Sequence, residues 1–366
     1  MHNEETNAVL WGSQGQQNSH GDIASVLAGV ATSSFENEDQ RIKTLLAAYA
    51  LCTITVGIRI LIGLSQPALG AALKVCKDLE LFENWHQAGD HAATADELSK
   101  LVPCETALLE RLLRHLASSH MLQEPSIGVF EPTPFTKSLL QPVFGEWINH
   151  LYDATLPCFF KMPEYLAKTG YQLPLDPADG VFQYTKAWTG DMFNCYEAHP
   201  REGQSFNHVM GGVMANQAGW LDIFPHERIL ETSHDNTSPL VVMVGGNIGY
   251  DMERFRQAHP ETASRLYLQD RPEVVKLSKC LDAVSKMGYD FFTPQPIKGS
   301  RVYYMHGVLH DWDAMTPGYS TLLIHDHIAP RALAHPHTTA YDLTMMVMVA
   351  GTERTEGHWE ALLADN

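Results

Sequence analysis

The sequence predicts an α/β protein in which a mainly helical winged-helix domain precedes a Rossmann-like domain built on a parallel sheet. Three observations predict it. Helical periodicity ends in a small hairpin between Gln66 and Pro142. From Leu240 onward, apolar β-branched strands alternate with helical turns. The cluster Gly245-Gly246-Asn247-Ile248-Gly249 follows the first of those strands and leads into a helix.

A chain of 366 residues accommodates two domains, each large enough to bury a core. Lys and Arg number 25 against 43 Asp and Glu, a formal charge of −18 that repels polyanions and argues against a nucleic-acid partner. The six cysteines, Cys52, Cys76, Cys104, Cys158, Cys195 and Cys280, form no close pair. That spacing fits neither a zinc site nor a secreted disulfide scaffold, so no metal is expected and reduced thiols in the cytoplasm are.

Residues 1–40 read as a loose polar leader without a secretory signal. Leu45–Leu64 is an apolar run interrupted by Arg59, long enough on paper to cross a bilayer. A hydrophobic helix at a subunit interface explains the same residues, so a membrane is not the expected partner. Residues 41–142 make the winged helix. Ala68-Leu69-Ala72-Leu73-Val75 and Leu108-Leu109-Leu112-Leu113-Leu116 are helical faces, and Thr94-Ala95-Asp96-Glu97-Leu98 reads as an N-cap with an acidic first turn. Met121-Leu122-Gln123 and Val129-Phe130-Glu131 form the hairpin, closed by Pro132 and Pro134. Basic residues are sparse where a recognition helix needs them, so the module is expected to dimerise and to act as a lid rather than bind DNA. Residues 143–230 are a helical linker and substrate segment, in which Met162, Trp188, Met192, Phe206 and Met210 build core and line a pocket for a flat apolar ligand.

Residues 231–366 carry the chemistry. Strands are expected at Leu240–Val244, Leu266–Gln269, Arg301–Met305 and Ser320–Ile324, with helices at Asp251–Ala258, Pro272–Val284 and Thr355–Leu363. Glycine permits positive φ and close approach of backbone amides to a ligand. About twenty residues beyond the glycines, Asp270 ends the next strand, where a carboxylate accepts both ribose hydroxyls. Asp290 and Phe291 offer a carboxylate beside an aromatic face, suited to adenine. His310, in His306-Gly307-Val308-Leu309-His310-Asp311-Trp312, follows a strand at the mouth of the same crevice. Its imidazole suits it to take a proton from a hydroxyl attacking an electrophilic methyl group. Asp326 and Glu353 are candidates to orient that ring.

In this order the winged helix, the glycine cluster, Leu268-Gln269-Asp270-Arg271-Pro272-Glu273-Val274, Asp290-Phe291-Phe292, His310-Asp311-Trp312 and Glu353-Arg354-Thr355 resemble the plant and fungal O-methyltransferase family, above all fungal members that act in secondary metabolism. The resemblance implies a winged-helix dimerisation domain followed by a class I methyltransferase domain. It also implies a homodimer whose N-terminal domain closes over the partner's pocket, and metal-free transfer of methyl from S-adenosyl-L-methionine to a phenolic or polyketide-like small molecule. It implies that Gly245, Gly246, Asn247 and Gly249 hold the methionine end, that Asp270 with Arg271 holds the ribose, and that Asp290 and Phe291 hold the adenine. His310 becomes the base, supported by Asp326 and Glu353.

Four departures accompany the resemblance. Met243 stands where the family carries an acidic residue, and Asn247 where glycine is usual, although Asn tolerates a left-handed backbone. Only Asp313–Gly318 remain where a crossover helix is expected before the fifth strand. The chain stops at Asn366, before two further strands, which leaves Ser320–Ile324 as an expected unpaired edge. Two alternatives share the fold: an S-adenosylmethionine-binding pericyclase-type enzyme that transfers no methyl group, and an inactive pseudo-methyltransferase.

Overall fold

The computed structural model describes residues 56–216, 219–231, 237–308 and 321–364. The leader and most of the apolar run Leu45–Leu64 lie outside them. The chain divides into two compact units, Met1–Ala68 and Leu69–Asn366. Helix α1, Val56–Asp78, begins in the first and ends in the second. Among the described residues no helix is long and apolar enough to cross a membrane.

Beyond α1 the winged helix takes shape as α2 (Leu81–Gln87), β1 (Ala93–Thr94), α3 (Ala95–Leu98), α4 (Thr106–Ser118), β2 (Leu122–Ser126), β3 (Val129–Pro132) and α5 (Pro134–Ser138). Thr94 caps α3 as its sequence dictates: its hydroxyl accepts from the Glu97 amide at 3.3 Å, and the Glu97 carboxylate accepts from the Thr94 amide at 2.8 Å. Leu109, Leu113 and Leu116 fall on one face of α4 and are fully buried against Leu81, Trp85 and Phe130. Each such side chain contributes about 1.5–3 kcal/mol of apolar burial. The antiparallel sheet runs β1-β3-β2.

Helices fill the next segment: α6 (Pro142–His150), α7 (Leu156–Lys168), α8 (Val181–Lys186), α9 (Met192–Ala198), α10 (Pro200–Asn216), α11 (Trp220–Ile223) and α12 (Glu227–Glu231). A π-helical turn, Leu151–Thr155, joins α6 to α7. Met162, Trp188, Met192 and Phe206 pack into a helical core around Phe182 and Tyr196.

The C-terminal part alternates as predicted: β4 (Val241–Val244), α13 (Tyr250–Ala258), β5 (Leu266–Asp270), α14 (Pro272–Val275), β6 (Ser285–Gly288), β7 (Val302–His306), β8 (Thr321–His325), α15 (Pro336–Val349) and α16 (Glu356–Ala364). All five strands are parallel, in the order β6-β5-β4-β7-β8. Every carboxyl end therefore lies on one edge, and the order reverses at β4, where a crevice opens.

One expectation is corrected. The helix expected over Pro272–Val284 stops at Val275. The chain turns instead to seat Lys279 and Cys280 on the glycine loop, where the Lys279 amide donates to the Ile248 carbonyl at 2.9 Å and the Cys280 thiol donates to the Gly249 carbonyl at 3.4 Å. Strand β6 follows, largely exposed on both faces, so no apolar alternation marks it. The short connection before β8 does not prevent parallel pairing, which runs from Val302 opposite Thr321 to His306 opposite His325. Among the described residues β8 pairs on that side alone.

Candidate active site

The glycine loop turns sharply because three of its residues occupy the left-handed region: Gly245 at φ 67°, Asn247 at 52° and Gly249 at 95°. Asn247 stabilises its own strained position, its side-chain oxygen accepting from the Ile248 amide at 2.7 Å. The glycines are also sterically required. A Cβ on Gly246 would lie 2.5 Å from Leu268 Cδ1, and one on Gly249 2.3 Å from Cys280 Sγ. Met243, which replaces the acidic residue of the family pattern, is 2% exposed and fills the space beneath the loop.

Asp270 joins this loop to β5. Its two oxygens accept from the Asn247 and Arg271 amides, each at 2.7 Å. Burial raises its carboxyl above the usual range against the opposing pull of those two amides. A carboxylate offers about four lone-pair sites, so two remain for a ribose diol. The Asp270 carbonyl accepts from the Tyr289 amide at 2.8 Å, which brings the Asp290–Phe291 loop alongside. Phe291 is half-buried against Val242, Val244 and Met305, and its ring lies 4.7 Å from that of Phe292. The exposed Asp290 accepts from the Phe292 amide at 3.1 Å. A narrow amide-lined turn, a carboxylate with capacity to spare and an adjoining aromatic face suit the three parts of an adenosyl amino acid.

Arg271 is engaged elsewhere. Its guanidinium meets Glu197 and Glu273 at 2.8 Å and Asp191 at 3.8 Å, and lies 5.8 Å above the Phe193 ring, tying α9 to α14. A proton shared with Glu273 lifts Glu197 above the usual carboxylate range. Asp326 directly follows β8, on the same sheet edge. Glu353 is 5% exposed, with its amide donating to Asp342 at 2.8 Å and its carboxylate 3.7 Å from His327 Nδ1. His310 lies outside the described residues.

A second buried polar group went unread in the sequence. His306 Nδ1 and Asp251 Oδ2 are 2.6 Å apart, the Tyr304 hydroxyl bonds His325 at 3.0 Å, and the His306 and His325 rings stack at 3.9 Å. The network locks the first turn of α13, immediately after the glycine loop, onto the ends of β7 and β8. Burial, together with the neighbouring His306, pushes the His325 ring below the usual imidazole range. An aspartate in a first helical turn reads as an ordinary partner of the helix dipole, so nothing in the sequence distinguished Asp251.

A glycine turn at the switch point of a parallel sheet, with a carboxylate and an aromatic face on the neighbouring strand ends, defines a nucleoside-binding Rossmann-like domain, here joined to a winged helix. Residues 65–142 match the O-methyltransferase dimerisation domain, and residues 175–366 match the O-methyltransferase domain. The chain is 64% identical over 357 residues to O-methyltransferase mfmE of Annulohypoxylon moriforme, covering 93% of this chain and 89% of that one. It is 32% identical to methyltransferase cfoC of Aspergillus candidus, over 80% of this chain and 76% of that one. Among solved structures, LepI in complex with SAM superposes with a TM-score of 0.82 at 25% identity, covering 94% of this chain and 92% of that one. The fold is also that of OxaC in complex with sinefungin and meleagrin, at a TM-score of 0.81 and 20% identity, over 94% of this chain and 92% of that one. The chain belongs to the O-methyltransferase family. It uses S-adenosylmethionine as its methyl donor, and it carries the family's dimerisation domain.

Proposed function

We propose that this chain works in the cytoplasm as a homodimer and methylates a hydroxyl of a phenolic or polyketide-like small molecule. In this reading residues 1–40 are a leader, 41–142 the dimerisation domain, 143–230 the substrate segment and 231–366 the cofactor domain. One subunit's N-terminal domain closes over its partner's pocket. The observation that supports the assignment most directly is the junction of Asp270 with the glycine loop through the 2.7 Å bond from Asn247, with Phe291 alongside. Gly245, Gly246, Asn247 and Gly249 would hold the amino-acid end of the cofactor, Asp270 the ribose, and Asp290 with Phe291 the adenine. Arg271 would act indirectly, by fixing α9 against the ribose strand.

S-adenosylmethionine supplies a methyl group made electrophilic by its sulfonium. His310 would take the proton from the acceptor hydroxyl as oxygen closes on that methyl, with Asp326 and Glu353 orienting the imidazole. Alignment of the reacting atoms and removal of one proton supply the rate. Glu353 suits the supporting part because a carboxylate that is 5% exposed keeps its field largely unscreened.

Calorimetric titration with S-adenosylhomocysteine tests the cofactor site without an acceptor, with micromolar binding expected. His310→Ala should then keep that affinity while kcat falls by about 10²–10⁴-fold. Equal loss of affinity would remove His310 from the role of base. A product heavier by one methyl group separates transfer from rearrangement.

A further inference from the structure

Gln269 stands on β5, between β4 and β6, and is 0% exposed. Its side-chain amide carries two donor hydrogens and an acceptor oxygen into the sheet, and each costs free energy unless it is paired. All of them are paired. Nε2 donates to Gln295 Oε1 at 2.8 Å and to Met287 Sδ at 3.5 Å, and Oε1 accepts from Gln295 Nε2 at 2.8 Å. The Ile297 amide donates to the same Gln295 oxygen at 3.0 Å. That bond fixes which way round the Gln295 amide lies, and through it the orientation of the Gln269 amide.

Gln295 closes the loop that carries Asp290 and Phe291. At the start of that loop the Tyr289 amide is held by the Asp270 carbonyl at 2.8 Å, and at its end Gln295 is held by the Gln269 side chain. Between the two ties the Tyr289 hydroxyl donates to the Thr293 carbonyl at 2.6 Å, which braces the segment from within. Beyond them the Tyr303 hydroxyl, on β7, donates to the Ile297 carbonyl at 2.6 Å. Gln269 also reaches the glycine turn, because its own carbonyl accepts from the Gly246 amide at 3.1 Å. Asp270 is the next residue along the strand. The glycine turn, the ribose carboxylate and the aromatic loop therefore meet at Gln269.

We infer that Gln269 and Gln295 are positioning residues for the cofactor: their reciprocal amide pair sets where Asp290 and Phe291 stand relative to Asp270, and with it the preference for adenine over a 6-oxopurine. Each acts through the loop and not by contact with the purine. The inference rests on the assignment of Asp290 and Phe291 to adenine made above. Adenine presents an amine at C6, which a carboxylate accepts from, whereas a 6-oxopurine presents an acceptor that a carboxylate repels. Asp290 already accepts from the Phe292 amide at 3.1 Å through Oδ1, which leaves its other oxygen for this discrimination. The closer the loop holds that oxygen, the stronger the rejection of the wrong base. With the pair broken, the buried Gln269 amide loses its partner and the loop loses its outer tie.

The test is calorimetry on the full-length protein with S-adenosylhomocysteine and with S-inosylhomocysteine, which carries hypoxanthine in place of adenine. Gln295→Ala should weaken S-adenosylhomocysteine by about tenfold and S-inosylhomocysteine by about threefold or less, so that the preference for adenine narrows. Gln269→Glu supplies a signature that a general loss of stability does not. Ionised, the introduced carboxylate cannot donate to Gln295 Oε1; protonated, it offers the same donor and acceptor as the amide, and burial favours that form. The S-adenosylhomocysteine affinity of this variant, taken relative to wild type at each pH, should be about tenfold low near pH 8 and recover towards pH 5.5. Asp270, the neighbouring carboxylate, is present in both proteins. Gln295→Glu provides the same pH comparison from the half-buried side of the pair if Gln269→Glu does not fold. Equal weakening of both ligands by Gln295→Ala, or a ratio to wild type that stays constant with pH, overturns the positioning role. Preference lost in Asp290→Asn but kept in Gln295→Ala refutes the amide pair alone, whereas preference kept in Asp290→Asn refutes the adenine assignment itself.

Discussion

Replacing Gly249 by alanine tests the central steric claim about the cofactor loop. Its φ of 95° is a left-handed geometry, which costs an L-residue about 1–2 kcal/mol. The new Cβ would also lie 2.3 Å from Cys280 Sγ and 3.1 Å from Leu268 Cδ2. Forcing extra volume into a packed site costs about 1–3 kcal/mol more. The sum, roughly 2–5 kcal/mol, corresponds to a fall in Tm of roughly 4–10 °C in a unit this large. Thermal unfolding of Gly249→Ala, Cys280→Ala and the double variant separates the two parts. Removing the thiol should recover the steric share, about 1–3 kcal/mol, and leave the backbone share in place. If the double variant is no more stable than the additive sum of the single ones, the clash with Cys280 is not what excludes a side chain here.

Three further outcomes are expected. Asp270→Asn replaces one accepting oxygen by a donor facing an amide N–H, so S-adenosylhomocysteine affinity should fall by about 10–100-fold in calorimetry, in keeping with about 1.5–3 kcal/mol for a charge-assisted bond. His150 lies at about 4 in the folded chain against an ordinary 6.5, so the unfolded chain takes up the proton first as pH falls. The stability associated with the neutral ring is fully present above about pH 6.5, and up to about 3 kcal/mol of it is lost by pH 4. Denaturant unfolding of His150→Gln across that window should show a flatter curve. Asp251→Ala removes the carboxylate that His306 Nδ1 meets at 2.6 Å and should cost about 1–3 kcal/mol in denaturant unfolding, whereas removing both partners together costs less than the sum of the two single changes.

The features legible in the sequence are those in which one residue type answers one local demand. Gly245 and Gly249 announced a left-handed turn, Thr94 and Glu97 a cap, and Leu109, Leu113 and Leu116 a buried helical face. Asn247 signalled that the turn survives a non-glycine residue, and it holds that turn with its own side chain. Features set by distant partners were not legible. The helix after Pro272 ends early because Ile248 and Gly249 offer carbonyls to Lys279 and Cys280, a competition no window around residue 276 contains. Strand β6 lacked a signal because neither of its faces is buried. Asp251 and His306, 55 positions apart, meet only once the parallel sheet is assembled.

The glycine turn, Asp270 and Phe291 stand on strand ends, whereas an open cavity at His150 is walled by α6, the π-helical turn, the end of α9 and the start of α10. No strand contributes a wall residue to it. A lineage carrying this fold is therefore free to let residues 149–155 and 198–205 drift without disturbing donor capture.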